Sequence, residues 1–104
     1  MAQFDVHRSL VEPPADEVPY LLDVQSDFLE VFDVRVVVPL FRAAAFARPI
    51  HRLNPSLRIE GGLVVMATQF IAGTALRNLG EVVARLDARR PEIIGAIDML
   101  VTGI

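Results

Sequence analysis

The chain has 104 residues, of which 53% are hydrophobic and 22% charged; this excludes intrinsic disorder and predicts one domain over residues 1–104. It has no cysteine and no lysine, which excludes disulfides, thiolate metal sites, Walker-type phosphate binding and Schiff-base chemistry. A net charge of −3 argues against a broad basic surface for nucleic acid. Because no signal segment and no membrane-length apolar run is visible, we expect a cytoplasmic protein.

The first part of the chain has the patterns of β-strands. Polar and apolar residues alternate over Gln3–His7, which is the period of a half-buried strand. The stretch Ser9–Pro19 is rich in proline and acidic residues, and its composition predicts a loop. Apolar and β-branched residues then dominate Tyr20–Val24 and Val34–Leu40. These patterns predict three strands before the middle of the chain.

The middle of the chain predicts a hairpin and then a short helix. Leu57–Ile59 and Leu63–Ile71 flank Glu60-Gly61-Gly62, and paired glycines tolerate the positive φ of a tight hairpin turn. Gly73–Asn78 has the composition of one more short strand. Gly80–Leu86 places its apolar residues on one side of a helix, so we expect a brief helix there.

The end of the chain predicts an α-helix. Pro91 suits the first helical position, Glu92 favours the positive end of the helix dipole, and Gly103 suits the position after the last turn. Between them, apolar residues at helical spacing form one stripe: Ile93, Ile94, Ile97, Leu100 and Val101. Strands followed by one terminal helix predict a mainly β (α+β) domain with an appended helix.

No arrangement in the sequence points to catalysis or to a bound metal or cofactor. His7 and His51, the two histidines, lie far apart without neighbouring carboxylates at metal-ligand spacing, and packing or surface roles explain them. The carboxylates are explained by loop solubility and turn capping, and Arg89-Arg90 by solvation or pairing with acids. We therefore expect no enzyme, no metal and no cofactor.

Four blocks of residues nevertheless resemble one known family. They are Gln3-Phe4-Asp5-Val6, Asp23-Val24-Gln25-Ser26-Asp27, Arg35-Val36-Val37-Val38-Pro39-Leu40, and the terminal segment from Ile94 to Gly103-Ile104. In this order, and in a chain of this length, they resemble the CcdB family of bacterial toxins. The resemblance extends from one end of the chain to the other.

The resemblance implies an SH3-like antiparallel β-barrel with a small extra sheet and a C-terminal α-helix. It also implies a homodimer that binds the A subunit of DNA gyrase and traps the cleaved complex with DNA. The disordered C-terminal segment of a cognate antitoxin reverses this inhibition, and toxin and antitoxin together repress their operon. The toxin thus meets DNA only through the antitoxin, and it meets no membrane.

Site residues follow from the matching positions. The resemblance places gyrase contacts at Ser26, Phe28, Asp98, Val101, Thr102, Gly103 and Ile104. It places the dimer interface at Gly95, Met99 and Thr102. The best-known members carry an aromatic pair ending in tryptophan where this chain has Val101-Thr102, and their loop corresponding to Ser9–Pro19 is shorter, so we expect a different cognate antitoxin.

Two alternatives remain open beside the gyrase-inhibiting toxin. Val101-Thr102 motivates a non-toxic protein that binds an antitoxin as a co-repressor or as a decoy, because a lost aromatic anchor commonly costs about 2–4 kcal/mol. The other alternative is a barrel that binds a small ligand or acts as an enzyme. It would require a deep polar pocket with converging titratable groups.

Overall fold

The computed structural model describes residues 2–29 and 33–103. Within them, strands dominate and a single α-helix, α1 (Arg90–Thr102), lies at the C-terminal end. The expected mainly β fold with a C-terminal helix is confirmed. The strands are β1 (Asp5–Ser9), β2 (Tyr20–Asp23), β3 (Val34–Arg42), β4 (Ser56–Ile59), β5 (Gly62–Met66), β6 (Ala72–Ala75) and β7 (Leu79–Arg85).

The strands form one curled antiparallel sheet in the order β4-β5-β3-β2-β1-β7. Strand β3 is the centre of this arrangement, because its nine residues pair with three other strands. Its first half pairs with β6, its middle with β2, and its end with β5. The sheet therefore holds both the hairpin of β4 and β5 and the two N-terminal strands in place.

One face of the sheet forms the hydrophobic core with α1. Val6, Leu22 and Val38 lie opposite one another on β1, β2 and β3, and all three are fully buried. Ile93 and Ala96 of α1 belong to the same buried cluster. Burial of an aliphatic side chain contributes about 1.5–3 kcal/mol, so this layer holds the helix on the sheet.

The other face of the sheet carries buried polar side chains. His7 lies opposite Leu21, and Asp23 lies opposite Val37, so these residues share the face that does not meet α1. His7 and Asp23 are both almost fully buried, as is Arg35 on β3. Buried polar groups need hydrogen-bond partners, and those partners shape the candidate site described below.

The helix expected over Gly80–Leu86 is wrong, since all of these residues except Leu86 belong to β7. Valine pairs such as Val82-Val83 suit either element, and here pairing with β1 decides between them. Gly80 makes this pairing possible, because a Cβ there would lie 2.9 Å from the carbonyl oxygen of Arg8.

The expected helix at the C-terminal end is confirmed, with proline in its first turn and Gly103 in the left-handed region at φ 76°.

Among the described residues, no helix is long and apolar enough to cross a membrane.

Candidate functional site

A buried ion pair joins two of the sequence blocks that pointed to a family. Arg35 Nε donates to Asp23 Oδ2 over 2.8 Å, and its Nη2 lies 2.7 Å from the same oxygen. The side chain of Arg35 is 1% exposed and that of Asp23 is not exposed at all. Burial raises the pKa of Asp23, although the hydrogen bond and charge of Arg35 oppose this shift. The pair therefore fixes β2 and β3 at the base of the turn that follows β2.

Gln25 extends this polar cluster to the neighbouring backbone. Its side-chain oxygen accepts a hydrogen bond from the Val36 N–H, and its Nε2 donates to the carbonyl oxygen of Leu29 over 2.8 Å. Asp27 accepts a hydrogen bond of 2.8 Å from the Gln3 N–H. The N-terminal segment and β3 are thus tied to the same short turn, and the bond between Gln25 and Leu29 closes it, which restricts its motion.

The turn presents an exposed aromatic ring. It forms a short 3₁₀-helix over Asp27–Leu29, in which the Phe28 N–H donates to Ser26 Oγ over 3.2 Å. Phe28 is 95% exposed and Leu29 is 47% exposed. A predicted contact residue, Ser26, therefore shapes the turn, while a second, Phe28, is available to a partner.

The last turn of α1 forms a second exposed surface. Val101 is 76% exposed, and Asp98, Thr102 and Gly103 are also exposed. Thr102 Oγ1 donates to the carbonyl oxygen of Asp98 over 2.7 Å, and the Gly103 N–H donates to that of Met99 over 2.9 Å. These bonds close the helix end within the chain. Ile104, also predicted as a contact, lies outside the described residues.

The predicted gyrase contacts thus fall into two groups. Ser26 and Phe28 lie on the turn whose neighbouring residues are bonded to β3 and to the N-terminal segment. The hydrogen bonds at Asp98 and Gly103 close the last turn of α1. The residues predicted for a dimer interface follow α1: Gly95 and Met99 are half-buried, and Thr102 is exposed.

A polar cluster on the surface holds the β4–β5 hairpin against the N-terminal strands. Tyr20 donates from its hydroxyl to Glu60 Oε1, and Arg8 Nη2 lies 2.6 Å from Glu60 Oε2. Arg8 also binds Glu81 on β7 through Nε. The hydrogen bond from Tyr20 lowers the pKa of Glu60, with Arg8 acting in the same direction, whereas burial raises the pKa of Tyr20.

The two histidines have different surroundings. His7 is buried, with Nδ1 2.9 Å from the carbonyl oxygen of Gly80, and its Nε2 has no hydrogen-bond partner among the described residues. His51 is exposed. Within residues 2–29 and 33–103, no three His, Asp or Glu side chains come together as metal ligands would.

Sequence reasoning missed the buried pair of Asp23 and Arg35. Both residues stand in blocks singled out by their resemblance, but nothing in the spacing of 12 positions between them shows that they meet. The available signal was the pairing of two consecutive antiparallel strands, which places Asp23 opposite Val37, two residues from Arg35 and therefore on the same face.

Comparison with solved structures defines the class to which this fold belongs. A structure described as an endoribonuclease in complex with its cognate antitoxin, from mycobacterial species, has a TM-score of 0.74 to this chain. The two chains are 16% identical, and the match covers 97% of this chain and 94% of the other. At that identity the likeness shows the fold: a curled antiparallel sheet with a C-terminal helix.

The family follows from a second comparison. The family model described as CcdB protein matches residues 3–103, which is nearly the whole chain. The chain belongs to the CcdB family, and the family expected from the four sequence blocks is confirmed.

Proposed function

We propose that the chain is the toxin of a bacterial type II toxin–antitoxin system that inhibits DNA gyrase by binding its A subunit. Membership of the CcdB family supports the toxin role. A chain with this fold has been solved in a structure described as an endoribonuclease in complex with its cognate antitoxin, which supports an antitoxin as partner. The same proposal includes three further properties of this chain: it forms a homodimer, it is cytoplasmic, and it represses its operon together with the antitoxin.

One observation carries the choice of binding surface. Val101 is 76% exposed at the end of α1, beside exposed Thr102 and Gly103. Apolar side chains that are exposed next to one another mark interaction surfaces, and Leu100, which precedes Val101, is 37% exposed. Phe28, at 95% exposure, offers a second anchor on a turn already held by hydrogen bonds.

In this mechanism the protein acts by binding and contributes no catalytic group. The toxin dimer, formed along α1 through Gly95, Met99 and Thr102, presents the helix ends to gyrase. Gyrase held in its cleaved complex cannot reseal DNA, so broken DNA accumulates. The antitoxin reverses this by covering the toxin.

Gyrase assays with matched variants test the proposal. Purified protein is added to a gyrase supercoiling assay that contains the enzyme from a matched host, and cleaved DNA is measured. We expect Phe28→Ala and Val101→Ser to weaken inhibition about tenfold or more, because anchors near an interface centre dominate its free energy. Phe70→Ala is the matched control, since Phe70 is 56% exposed on a different turn. Equal inhibition by all of these variants would contradict the proposal.

The second candidate is an antitoxin-binding co-repressor or decoy that does not poison gyrase. Val101-Thr102 favours it, because neither residue supplies an aromatic ring at the helix end. Titration of the protein against a gyrase A fragment and against an antitoxin peptide separates the two candidates. Tight binding of the gyrase fragment rules out the second candidate; binding of the antitoxin peptide alone rules out the first.

An assay of RNA cleavage completes the test. The structural neighbour is described as an endoribonuclease, whereas we propose no enzyme activity for this chain. Cleavage of total RNA by purified protein, abolished by a single substitution near His7, would overturn that part of the proposal.

A further inference from the structure

The N-terminal segment joins the turn that follows β2 to the first turn of α1. The Gln3 N–H donates to Asp27 Oδ1 over 2.8 Å. The Gln3 side chain donates from Nε2 to the Val24 carbonyl oxygen over 3.1 Å, and its Oε1 accepts from Arg90 Nη1 over 3.1 Å. One residue therefore binds the segment after β2 with two groups and the beginning of α1 with a third.

Phe4 anchors this segment in the core. Phe4 is 2% exposed and belongs to the buried hydrophobic cluster. Its N–H donates to the Asp23 carbonyl oxygen over 2.6 Å, and its carbonyl oxygen accepts from the Leu86 N–H over 2.9 Å. The guanidinium carbon of Arg90 lies 5.4 Å from the centre of the Phe4 ring, a distance at which a cation is attracted to the face of a ring. Arg90 therefore contacts both Gln3 and Phe4.

The backbone of Phe4 has an unusual conformation. Its φ is 71°, in the left-handed region that residues with a Cβ rarely adopt. Such a conformation persists only where the surroundings hold it, and conformations of this kind concentrate at functional sites. Burial and two backbone hydrogen bonds hold Phe4 here, and they keep Gln3, the preceding residue, between the turn and α1.

The position of the turn depends on polar contacts. None of the three residues Asp27, Phe28 and Leu29 is buried, so the hydrophobic core does not fix the turn. Gln25 closes the turn through the Leu29 carbonyl oxygen, whereas Gln3 connects Asp27 to α1. Without this connection the turn would be free to change its position relative to the helix.

We propose that Gln3 and Arg90 are positioning residues that hold the Phe28 turn in a fixed place relative to α1. The inference rests on the proposed binding of gyrase, because the link serves to present Phe28 and the end of α1 to one partner together. A surface that is ordered before binding loses less conformational entropy when the partner binds. Gln3 and Arg90 act through Phe28 and make no contact with the partner themselves.

Backbone dynamics of the free chain test the inference without gyrase. Amide ¹⁵N relaxation gives order parameters for Phe28 and Leu29, and we expect values near the rigid level of about 0.85 in the unmodified protein. In Gln3→Ala and in Arg90→Met we expect them to fall by about 0.2 or more, while the value for Val38 in the core of the sheet stays unchanged. Unchanged values at Phe28 and Leu29 in both variants would overturn the inference.

Matched variants separate the loss of the link from the loss of a charge. Arg90→Lys keeps a donor and a cation beside Gln3 and Phe4 and is expected to retain most of the order of the turn. Arg77→Met removes another exposed arginine and is expected to leave the order parameter of Phe28 unchanged. Equal changes in Arg77→Met and Arg90→Met would show a general effect of charge and overturn the assignment.

A double-mutant cycle tests whether Gln3 acts through Phe28. Gln3→Ala is expected to weaken binding of a gyrase A fragment about fivefold, but less than about twofold when Phe28→Ala is already present, because the ring that Gln3 positions is then absent. A general structural role would weaken binding whether or not the ring is present. Equal weakening in both backgrounds would show that Gln3 acts independently of Phe28 and would overturn the inference.

The two measurements keep this inference distinct from the proposed function. If the unmodified protein does not bind the gyrase fragment, the proposed function is contradicted, and the order parameters of the free chain still decide whether Gln3 and Arg90 hold the turn. If Gln3→Ala fails to fold, Arg90→Met cuts the same link at an exposed residue and replaces it in the cycle. Weakened gyrase binding with an unchanged turn would make Gln3 a direct contact and overturn its positioning role.

Discussion

Two ionic clusters with the same kinds of residues behave differently because one is buried and the other exposed. The pair of Asp23 and Arg35 lies inside the sheet, and burial raises the pKa of Asp23 despite its partner. The cluster of Glu60 and Arg8 lies at the surface, where the Tyr20 hydroxyl and the Arg8 guanidinium lower the pKa of Glu60. Location therefore decides the sign of the shift, and the two clusters have different uses: one fixes the strands, and the other fastens a hairpin.

The largest expected effect comes from breaking the buried pair. Arg35→Met leaves the Asp23 carboxylate without its cation inside the sheet, and such losses typically cost about 3–5 kcal/mol. Denaturant unfolding of the purified variant measures the change. Arg77→Met, at an exposed position, is the control and is expected to be near neutral. A loss in Arg35→Met no greater than that of the control would refute a structural role for the pair.

A second prediction concerns β7, the strand on which Glu81 binds Arg8 of the exposed cluster. Gly80→Ala places a methyl group against the Arg8 carbonyl oxygen, at 2.9 Å in the present geometry, and pushes β7 away from β1. Overpacking of this kind costs about 1–3 kcal/mol. Thermal unfolding tests it, with Gly73→Ala as the control because a Cβ at Gly73 meets no atom within 4 Å. Equal melting temperatures for the two variants would contradict the prediction.

Removing the charge of Glu60 is expected to have a smaller effect. Glu60→Gln loses the ion pair with Arg8 but keeps an acceptor for Tyr20, so the loss of stability is expected to fall well below that of Arg35→Met. High salt is expected to reduce the difference from the unmodified protein, because exposed ion pairs are screened. If the loss of stability did not depend on salt, the ion pair between Glu60 and Arg8 would not be its cause.

The smallest effect is on the pH dependence of stability, and its sign separates the clusters. Glu60 has a lowered pKa in the folded state, so its contribution is present above its ordinary value of 4.5 and is lost as pH falls through the lower value. Asp23 has a raised pKa, so the folded state loses relative stability as pH rises from 3.8 through the higher value. Carboxyl NMR titration measures both midpoints. Shifts in the same direction would contradict the comparison.

Much of the fold follows from local patterns. Local patterns are the alternation around Val6, the β-branched run of β3, Gly61 in the β4–β5 turn and the terminal residues of α1, and all act over a few positions. Each therefore predicts its element without knowledge of the rest. β7 was missed because Val82 and Val83 suit both helix and strand, and only pairing with β1, some 70 residues earlier in the chain, decides between them.

The candidate site also contains residues that the sequence predicts and residues that depend on distant contacts. Resemblance singled out Ser26, Phe28 and the end of α1, and the structure places Phe28 and Val101 at the surface. The pair of Asp23 and Arg35 depends on strand register, which the sequence does not state. The cleft of about 610 Å³ that is lined by residues 49–56 and by α1 depends on two segments that are distant in the chain.

Two of the outer strands, β4 and β7, lie at the ends of the strand order, each paired on one side along its length, while β6 pairs with β3 alone. Strands of this kind can recruit a second molecule and start open-ended growth of aggregates. Here Arg58 on β4 and Glu81 and Arg85 on β7 place charges along both edges. Docking another strand would bury those charges, at a cost that opposes fibre growth. In concentrated solutions, growth of the sheet through β4 or β7 should therefore be opposed, and association is directed to surfaces where apolar side chains are exposed.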